Sequence, residues 1–394
     1  MAQRTGITFS GEQRVMGVFL LFVPATLLSA YFGLPSSLQF FLSVGAVIPL
    51  AAYIGAATEA LADRLGGKIG GLLNATFGNA PDLLVGVFGV QRGLIPLVKA
   101  TLIGALISNS ALIMGLCYIA AGLVYRNPRF KVKEAGHHSV LMMLTVGAVL
   151  FPSIGAIALG CGTTCHNAAS SRIIQGVSVS IAVVLLLAYV AYIVFGIFGV
   201  ESLKFRMRDG EDSRRLIELA REEGSATWPP LFGLAVLVLT TIALIPITDI
   251  LTGSVVPVTQ MLGWSQVFVG MVIVANAGNV AEGYAALKFA IQRGGVDPET
   301  GDSGLDLAIG IASASSIQIA TFVAPLVVLY SLTTHTMSLV FSSVEIAILA
   351  VLVAIFTFIA QDGESNWLEG VQLLALYLMA AVVFFALPVR VFGG

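Results

Sequence analysis

The chain has 394 residues, 57% hydrophobic and only 11% charged, which is more apolar surface than one soluble core can bury. Its net charge of −2 speaks against a nucleic-acid or polyanion binder, and three cysteines speak against a disulfide framework or thiolate-rich metal cage.

The apolar excess falls into runs long enough to cross a hydrocarbon layer about 30 Å thick. Spans are predicted near 15–33, 37–62, 69–91, 94–124, 138–159, 173–199, 229–249, 254–290, 304–331, 338–360 and 366–391. The N-terminal stretch carries Arg4, Glu12 and Arg14 without a small-residue cleavage site, so the first span is expected to stay in the protein. The long polar stretch from Val200 to Pro230 holds thirteen charged residues of mixed sign and is read as a solvated linker whose second part forms a short surface helix. Eleven spans put 16 Lys and Arg on the side of the N-terminus and 4 on the other. The positive-inside rule then places the N-terminus and the linker in the cytoplasm and the C-terminus outside. With no targeting segment read, a prokaryotic plasma membrane is the expected location.

An internal repeat organises these spans. "GNAPDLLVG" at 78–86 and "GNVAEGYAA" at 278–286 share a Gly-Asn-x-x-carboxylate core. Upstream, "ATEAL" at 57–61 matches "ITDIL" at 247–251, and downstream "LISNSALI" at 106–113 matches "ASSIQIAT" at 314–321. The predicted fold is therefore an all-α polytopic membrane protein with about eleven helices, a peripheral first helix preceding two inverted five-helix repeats. Its segments are 1–33, a first repeat at 34–199, a cytoplasmic linker at 200–228 and a second repeat at 229–394. Five passes per unit invert the second unit relative to the first, an arrangement that places transporter sites at the midplane.

Asp82 and Glu282 carry the chemistry. An ionisable group near the bilayer centre costs a few kcal/mol or more unless paired, hydrated or functional, and no Lys or Arg lies near either in sequence. Gly78 and Gly278 precede the acids by one turn and offer a place for the helix to loosen and free carbonyls. Asn79 and Asn279, three residues before their acids, share a helical face with them. Ser108, Asn109, Ser315, Ser316 and Gln318 add neutral polar groups from the following spans, and joining helix to helix is an equal alternative reading for any one of them. An all-oxygen site with two charges suits a hard divalent cation such as Ca2+ better than zinc, which recruits His or Cys. Protons compete for the same carboxylates, so two protons or one divalent cation neutralise the site.

At these motifs the chain resembles the calcium/proton exchangers of the cation/calcium exchanger superfamily. The resemblance rests on "GLLNATFGNAPDLL" at 71–84, "LVKATLIGALISNSALIMGL" at 97–116, "GNVAEGYAAL" at 278–287 and "LAIGIASASSIQIATFVAPLVVL" at 307–329, and extends weakly through "LVFSSVEIAIL" at 339–349. It implies that Asp82 and Glu282 bind Ca2+ or protons alternately, lined by the Gly78 and Gly278 carbonyls and by Asn279, Ser315 and Gln318. It also implies that Glu59 and Asp249 lie near an ion or proton path. Three positions depart from the family pattern: Asp82 where Glu is usual, Pro81 where a small or hydroxylated residue is usual, and Gly283 where His follows the second acid.

Other residues carry weaker signals. Glu345 is read as two turns inside the tenth span, either a proton-path acid or a carboxylate capped by Ser342 and Ser343. Cys161, Cys165 and His166 are read as a disulfide or free thiols before a soft-metal site. His137 and His138 sit at a predicted membrane boundary, and Trp228, Trp264 and Trp367 are read as interfacial anchors. "GGKIGG" at 66–71 lacks the strand–loop–helix setting of a phosphate loop. The expected function is a Ca2+/H+ antiporter that exports Ca2+ by alternating access, with both ions as cargo, no cofactor and no enzymatic activity. The lipid bilayer is its surrounding partner, and assembly with further copies is left open. The alternatives are sodium in place of protons as the driver, an intramembrane metal-dependent enzyme and a passive channel.

Overall fold

The computed structural model describes residues 11–65, 72–74, 76–125, 128–163, 165, 167–198, 228–292, 303–388 and 391. Within them the chain runs through the membrane-type helices in order. Gly11–Phe19 and Phe22–Tyr31 form α1, and Ser36–Leu65 is α2. The third pass is interrupted: the described residues 72–74 and 76–77 lead into a turn at 78–79, after which Ala80–Gln91 forms α3. Ile95–Ile107, a π-helical stretch at Ser108–Ile113, and Met114–Tyr125 make up α4. Val132–Ala158 is α5 and Ala168–Phe198 is α6. Pro230–Leu262 is α7, and Gln266–Phe268, a π stretch at Val269–Val274, and Ala275–Gln292 make up α8. Gly304–Gln318, a π stretch at Ile319–Val323, and Ala324–Ser331 form α9, followed by Ser343–Asp362 (α10) and Trp367–Ala386 (α11).

Ten of these passes are long and apolar enough to cross a membrane, and the shorter α3 completes eleven. The architecture is a peripheral α1 followed by two inverted five-helix repeats, α2–α6 and α7–α11. Most of α1 is left uncovered, with Val18, Leu21 and Phe32 exposed beside it, as a helix facing lipid requires. The repeats do not divide the interior between them. One apolar core is built chiefly from α2 and α7 across the repeats (Phe40, Leu50, Ile54, Leu237, Leu244, Leu251) and takes in Ala80, Val85, Val274 and Ala277. The other joins α4, α5, α8, α9, α10 and α11 around residues such as Ile107, Met142, Ala286, Val327, Leu352 and Leu373.

Close backbone crossings hold the helices together where side chains vanish. A methyl added at Gly104 of α4 would lie 2.5 Å from the Met271 Cα of α8, and one at Gly270 would lie 2.8 Å from the Leu97 carbonyl oxygen. Gly370 of α11 and Gly115 of α4 meet in the same way. Small residues of this kind let membrane helices approach and pack by dispersion.

Several expected boundaries move. The seventh span does not stop at 249. It runs on to Leu262 and ends where Gly263 adopts φ 70°, a left-handed cap conformation that glycine takes without penalty. The polar stretch around Asp249 had read as a break, but Asp249 is paired with Arg92 at 2.7 Å and the helix passes through it. The eighth span accordingly begins at Gln266 rather than 254. The tenth begins at Ser343 rather than 338, which puts Glu345 in its first turn instead of two turns deep. Helices α5 and α6 begin at Val132 and Ala168, ahead of the expected spans, but the membrane-length apolar stretch of α5 starts at Ser139, so His137 and His138 keep their expected place at its boundary. Trp228 is not an interfacial anchor: it is 2% exposed, stacked on Tyr53 and packed edge-on against Phe232. Cys161 and Cys165 form a disulfide, while His166 lies outside the described residues. The linker at 200–227 and "GGKIG" at 66–70 also lie outside them.

Candidate cation site

The interruption of the third pass positions the first acid. Gly78 N–H still bonds the Asn74 carbonyl, at 2.8 Å, but the chain then turns and Asn79 takes φ −87°, ψ 10° as the residue before the helix. Asn79 is thus a cap-position residue and not, as expected, part of a continuous helical face with Asp82. Pro81 falls in the first turn of α3, where its missing N–H leaves no intrahelical bond unmade. Asp82, also in that first turn, is placed where the positive end of the helix dipole favours a carboxylate. It is 4% exposed.

The second acid arrives differently. Helix α8 continues unbroken through Gly278 and Glu282, so Gly278 does not loosen it; the irregularity lies earlier, in the π stretch at Val269–Val274. Gly278 instead makes room for the opposite repeat. A methyl at Gly278 would lie 3.3 Å from Asp82 Oδ1 and 3.5 Å from Pro81 Cβ. Bare backbone on α8 therefore lets the Asp82 carboxylate approach, and the two acids are close enough for their charges to interact. Among the described residues, neither acid has an ion-pair partner: the two salt bridges found are Arg92–Asp249 and Arg129–Glu364, both partly exposed.

Neutral groups from α4 and α9 close the site. Asn109 Nδ2 donates to Ser315 Oγ at 2.9 Å, and Ser315 hydrogen-bonds the Glu282 carboxylate. Asn79 Nδ2 donates to Gln318 Oε1 at 2.6 Å, and the Ser110 and Ser316 hydroxyls meet at 3.5 Å. Asn79, Ser108, Asn109, Asn279, Ser315, Ser316 and Gln318 are all 8% exposed or less. Asn109 Oδ1 and Glu282 Oε2 are buried with no hydrogen-bond partner among the described residues, as are Asn279 Nδ2 and Ser313 Oγ. Buried polar atoms are almost always satisfied. Two unsatisfied acceptor oxygens beside a pair of uncompensated acids are the donor set a hard cation seeks. The site also lies on the seam between the two apolar cores, since Ala80 and Ala277 belong to one and Leu83 and Ala286 pack into the other.

The remaining acids stand apart from this pair. Glu59 is exposed on α2. Asp249 lies on α7 against Arg92, which leaves α3 at its far end. Glu345, 1% exposed, accepts from Ser342 N–H and Oγ at 2.8 Å each, closing a capping box at the start of α10 with Ser342 alone of its two serine neighbours. The buried Lys99 lies near it, donating to the Val340 carbonyl at 2.6 Å over the Phe341 ring. Sequence reasoning also missed Asn276, which joins α4 to α11. A second amide one turn before Asn279, in an otherwise apolar stretch, was its only signal.

The Arg92–Asp249 pair ties α3 to α7, with side chains 34% and 45% exposed. Exposed pairs contribute about 0.2–1 kcal/mol. Arg92→Gln is therefore expected to move the thermal unfolding midpoint only slightly, by less than about 1 kcal/mol of stability.

The model of the family described as sodium/calcium exchanger protein matches residues 35–198 and 232–386, nearly all of both repeats. The chain belongs to this family, in its calcium/proton exchanger branch. It is 33% identical over 369 residues to the Ca(2+)/H(+) antiporter ChaA of Bacillus subtilis, covering 93% of this chain and 97% of that one. It is 34% identical over 391 residues to a Ca(2+)/H(+) antiporter of Synechocystis, covering 97% and 100%. The solved structure of native YfkE superposes with a TM-score of 0.75 at 31% identity, over 94% of this chain and all of the other.

Proposed function

We propose that the chain is a Ca2+/H+ antiporter that carries Ca2+ out of the cytoplasm against incoming protons, by alternating access at the Asp82–Glu282 site. One observation carries the reading: the buried Asp82 of one repeat packs against Gly278, one turn before the partly buried Glu282 of the other, and neither acid has an ion-pair partner among the described residues. Such a pair is stable when neutralised, by one divalent cation or by protons, and costly when bare. Relatives of a third identity over nearly the whole chain bear the name Ca(2+)/H(+) antiporter, which favours protons over sodium as the driver.

Asn109, Ser315 and Gln318 supply or orient neutral oxygens, with Asn79, Asn279, Ser108 and Ser316 in support. The Gly78 carbonyl, at the break before α3, is better placed to reach the cation than that of Gly278, which stays within a regular helix. Gly283 bears on the proton step. A methyl there would lie 3.0 Å from Ile113 Cδ1, so a histidine at this position requires Ile113 to move aside. Proton carriage therefore falls to the two carboxylates themselves. The charge asymmetry supports a cytoplasmic N-terminus and a cytoplasmic segment at 200–228 between repeats at 34–199 and 229–394, in a membrane taken as a prokaryotic plasma membrane. Ca2+ and protons are cargo, and the mechanism needs no resident cofactor.

The test is Ca2+ uptake into proteoliposomes under an imposed pH gradient. Uptake that a protonophore abolishes is the expected result. No proton-driven uptake, with Ca2+ movement under a sodium gradient instead, overturns the coupling ion.

A further inference from the structure

We infer that Tyr377 and Asn276 are positioning residues that set the ion affinity of the site by fixing the π turn of α4 on which Asn109 stands. The inference rests on the proposed exchange at Asp82 and Glu282.

Asn276 lies on α8 two residues past the end of its π stretch and six residues before Glu282. A side-chain amide has two N–H donors and one carbonyl acceptor. Both donors are engaged: Nδ2 gives one bond to the Val272 carbonyl at 2.7 Å and one to the Tyr377 hydroxyl at 2.7 Å. With its nitrogen held on that side, the amide turns its Oδ1 to α4, where Ser108 Oγ donates to it at 2.6 Å. Ser108 is the first residue of the α4 π stretch, and Asn109 follows it. Asn109 then reaches Ser315, and Ser315 reaches Glu282. One amide therefore pins the irregular turns of two helices, and one phenol decides which way that amide faces.

The geometry is set by packing and not by chance approach. Tyr377 is 5% exposed, and α11 lies backbone-to-backbone on α4 through Gly370 and Gly115. Helices α11, α8 and α4 therefore meet at this point without room for the phenol to swing away. Removing the hydroxyl alone frees one Asn276 N–H, lets the amide rotate, and releases Ser108. A π turn is a poorly bonded piece of helix, so its register responds to the loss of one external bond.

The experiment uses the full chain in proteoliposomes, comparing the parent, Tyr377→Phe, Ser108→Ala and the double variant, with Glu282→Gln as control. Initial Ca2+ uptake is measured over a range of Ca2+ concentrations. The expected result is a rise in KM of about three- to tenfold for Tyr377→Phe, the size of one hydrogen bond, with maximal rate little changed. Ser108→Ala should raise KM comparably, and the double variant should be no worse than the worse single one, because both act through Asn276. An unchanged KM in Tyr377→Phe overturns the inference, as does a double variant whose KM effects multiply. A variant that loses maximal rate and thermal stability but keeps KM shows a packing role only, and also overturns it. Should Tyr377→Phe fail to fold, Asn276→Leu paired with Ser108→Ala gives the same cycle. Uptake that survives in Glu282→Gln refutes the exchange site itself, which is distinguishable from all of these.

Discussion

Glu282→Gln and Asp82→Asn are each expected to abolish proton-driven Ca2+ uptake while leaving the protein folded, or slightly more stable. The two effects separate because one charge plays two parts. In transport, the carboxylate is a ligand and a proton carrier at once, and the amide replaces neither function. Losing a charged partner in a buried site costs about 3–5 kcal/mol, or roughly a hundredfold or more in affinity. In the protein without cation, the same charge is a burden: Asp82 is 4% exposed, and no basic residue among those described offsets either acid. An amide of the same shape removes the cost of burying a charge beside its like. Uptake assays and unfolding midpoints in detergent without Ca2+ should therefore move in opposite directions. A variant that loses uptake because it unfolds would defeat the assignment of the pair as the site.

The second large effect is expected at the crossing of α4 and α8. Gly104→Ala drives a methyl to 2.5 Å from the Met271 Cα and 2.8 Å from its carbonyl oxygen. Backbone cannot swing aside as a side chain can, so the two helices must part. Overpacking of this kind costs about 1–3 kcal/mol, and here it also separates Asn109 on α4 from Glu282 on α8. Both the unfolding midpoint and Ca2+ uptake should fall. Gly310, in the helix of the second repeat that matches α4, meets nothing within 4 Å. Gly310→Ala is the matched control and should keep the parent's stability or raise it, since glycine inside a helix costs up to about 1 kcal/mol relative to alanine. Equal losses at both positions would show helix propensity at work and not the crossing.

How far the fold could be read from the chain depends on the range of the interaction in question. The eleven passes follow from local apolar runs, and the repeat follows from two copies of Gly-Asn-x-x-carboxylate; both are written in contiguous residues. The errors come from partners distant in sequence. Asp249 looked like the end of a span because its partner, Arg92, lies 157 positions away in the chain (249 − 92) and on a different helix. Trp228 looked interfacial because it adjoins a charged stretch, whereas Tyr53 of the other repeat buries it. Glu345 looked deep because the extended segment before Ser342 is itself apolar and reads as helix. Within the site, Gly78 and Gly278 looked equivalent. One stands at a break in its helix and the other clears a path for Asp82, a difference that only the neighbouring repeat can create. Asn276 and Tyr377 had no pattern to betray them, since each is a single polar group whose meaning lies in the other.

Helix length has a consequence for the surrounding lipid. At about 1.5 Å per residue, α2 (30 residues) and α7 (33 residues) extend roughly 45 and 50 Å, while α10 and α11, at 20 residues each, extend about 30 Å. The shorter pair matches a bilayer's hydrocarbon thickness, and the longer pair exceeds it. Helices as long as these fit only by leaning, and the prolines inside them, Pro49 in α2 and Pro246 and Pro257 in α7, give them places to bend. A thicker membrane draws them upright, and a thinner one lays them over. Because α2 and α7 share one core and the carboxylates sit where that core meets the other, acyl-chain length becomes a mechanical input to the carrier, set by the cell's lipids and acting with no ligand at all.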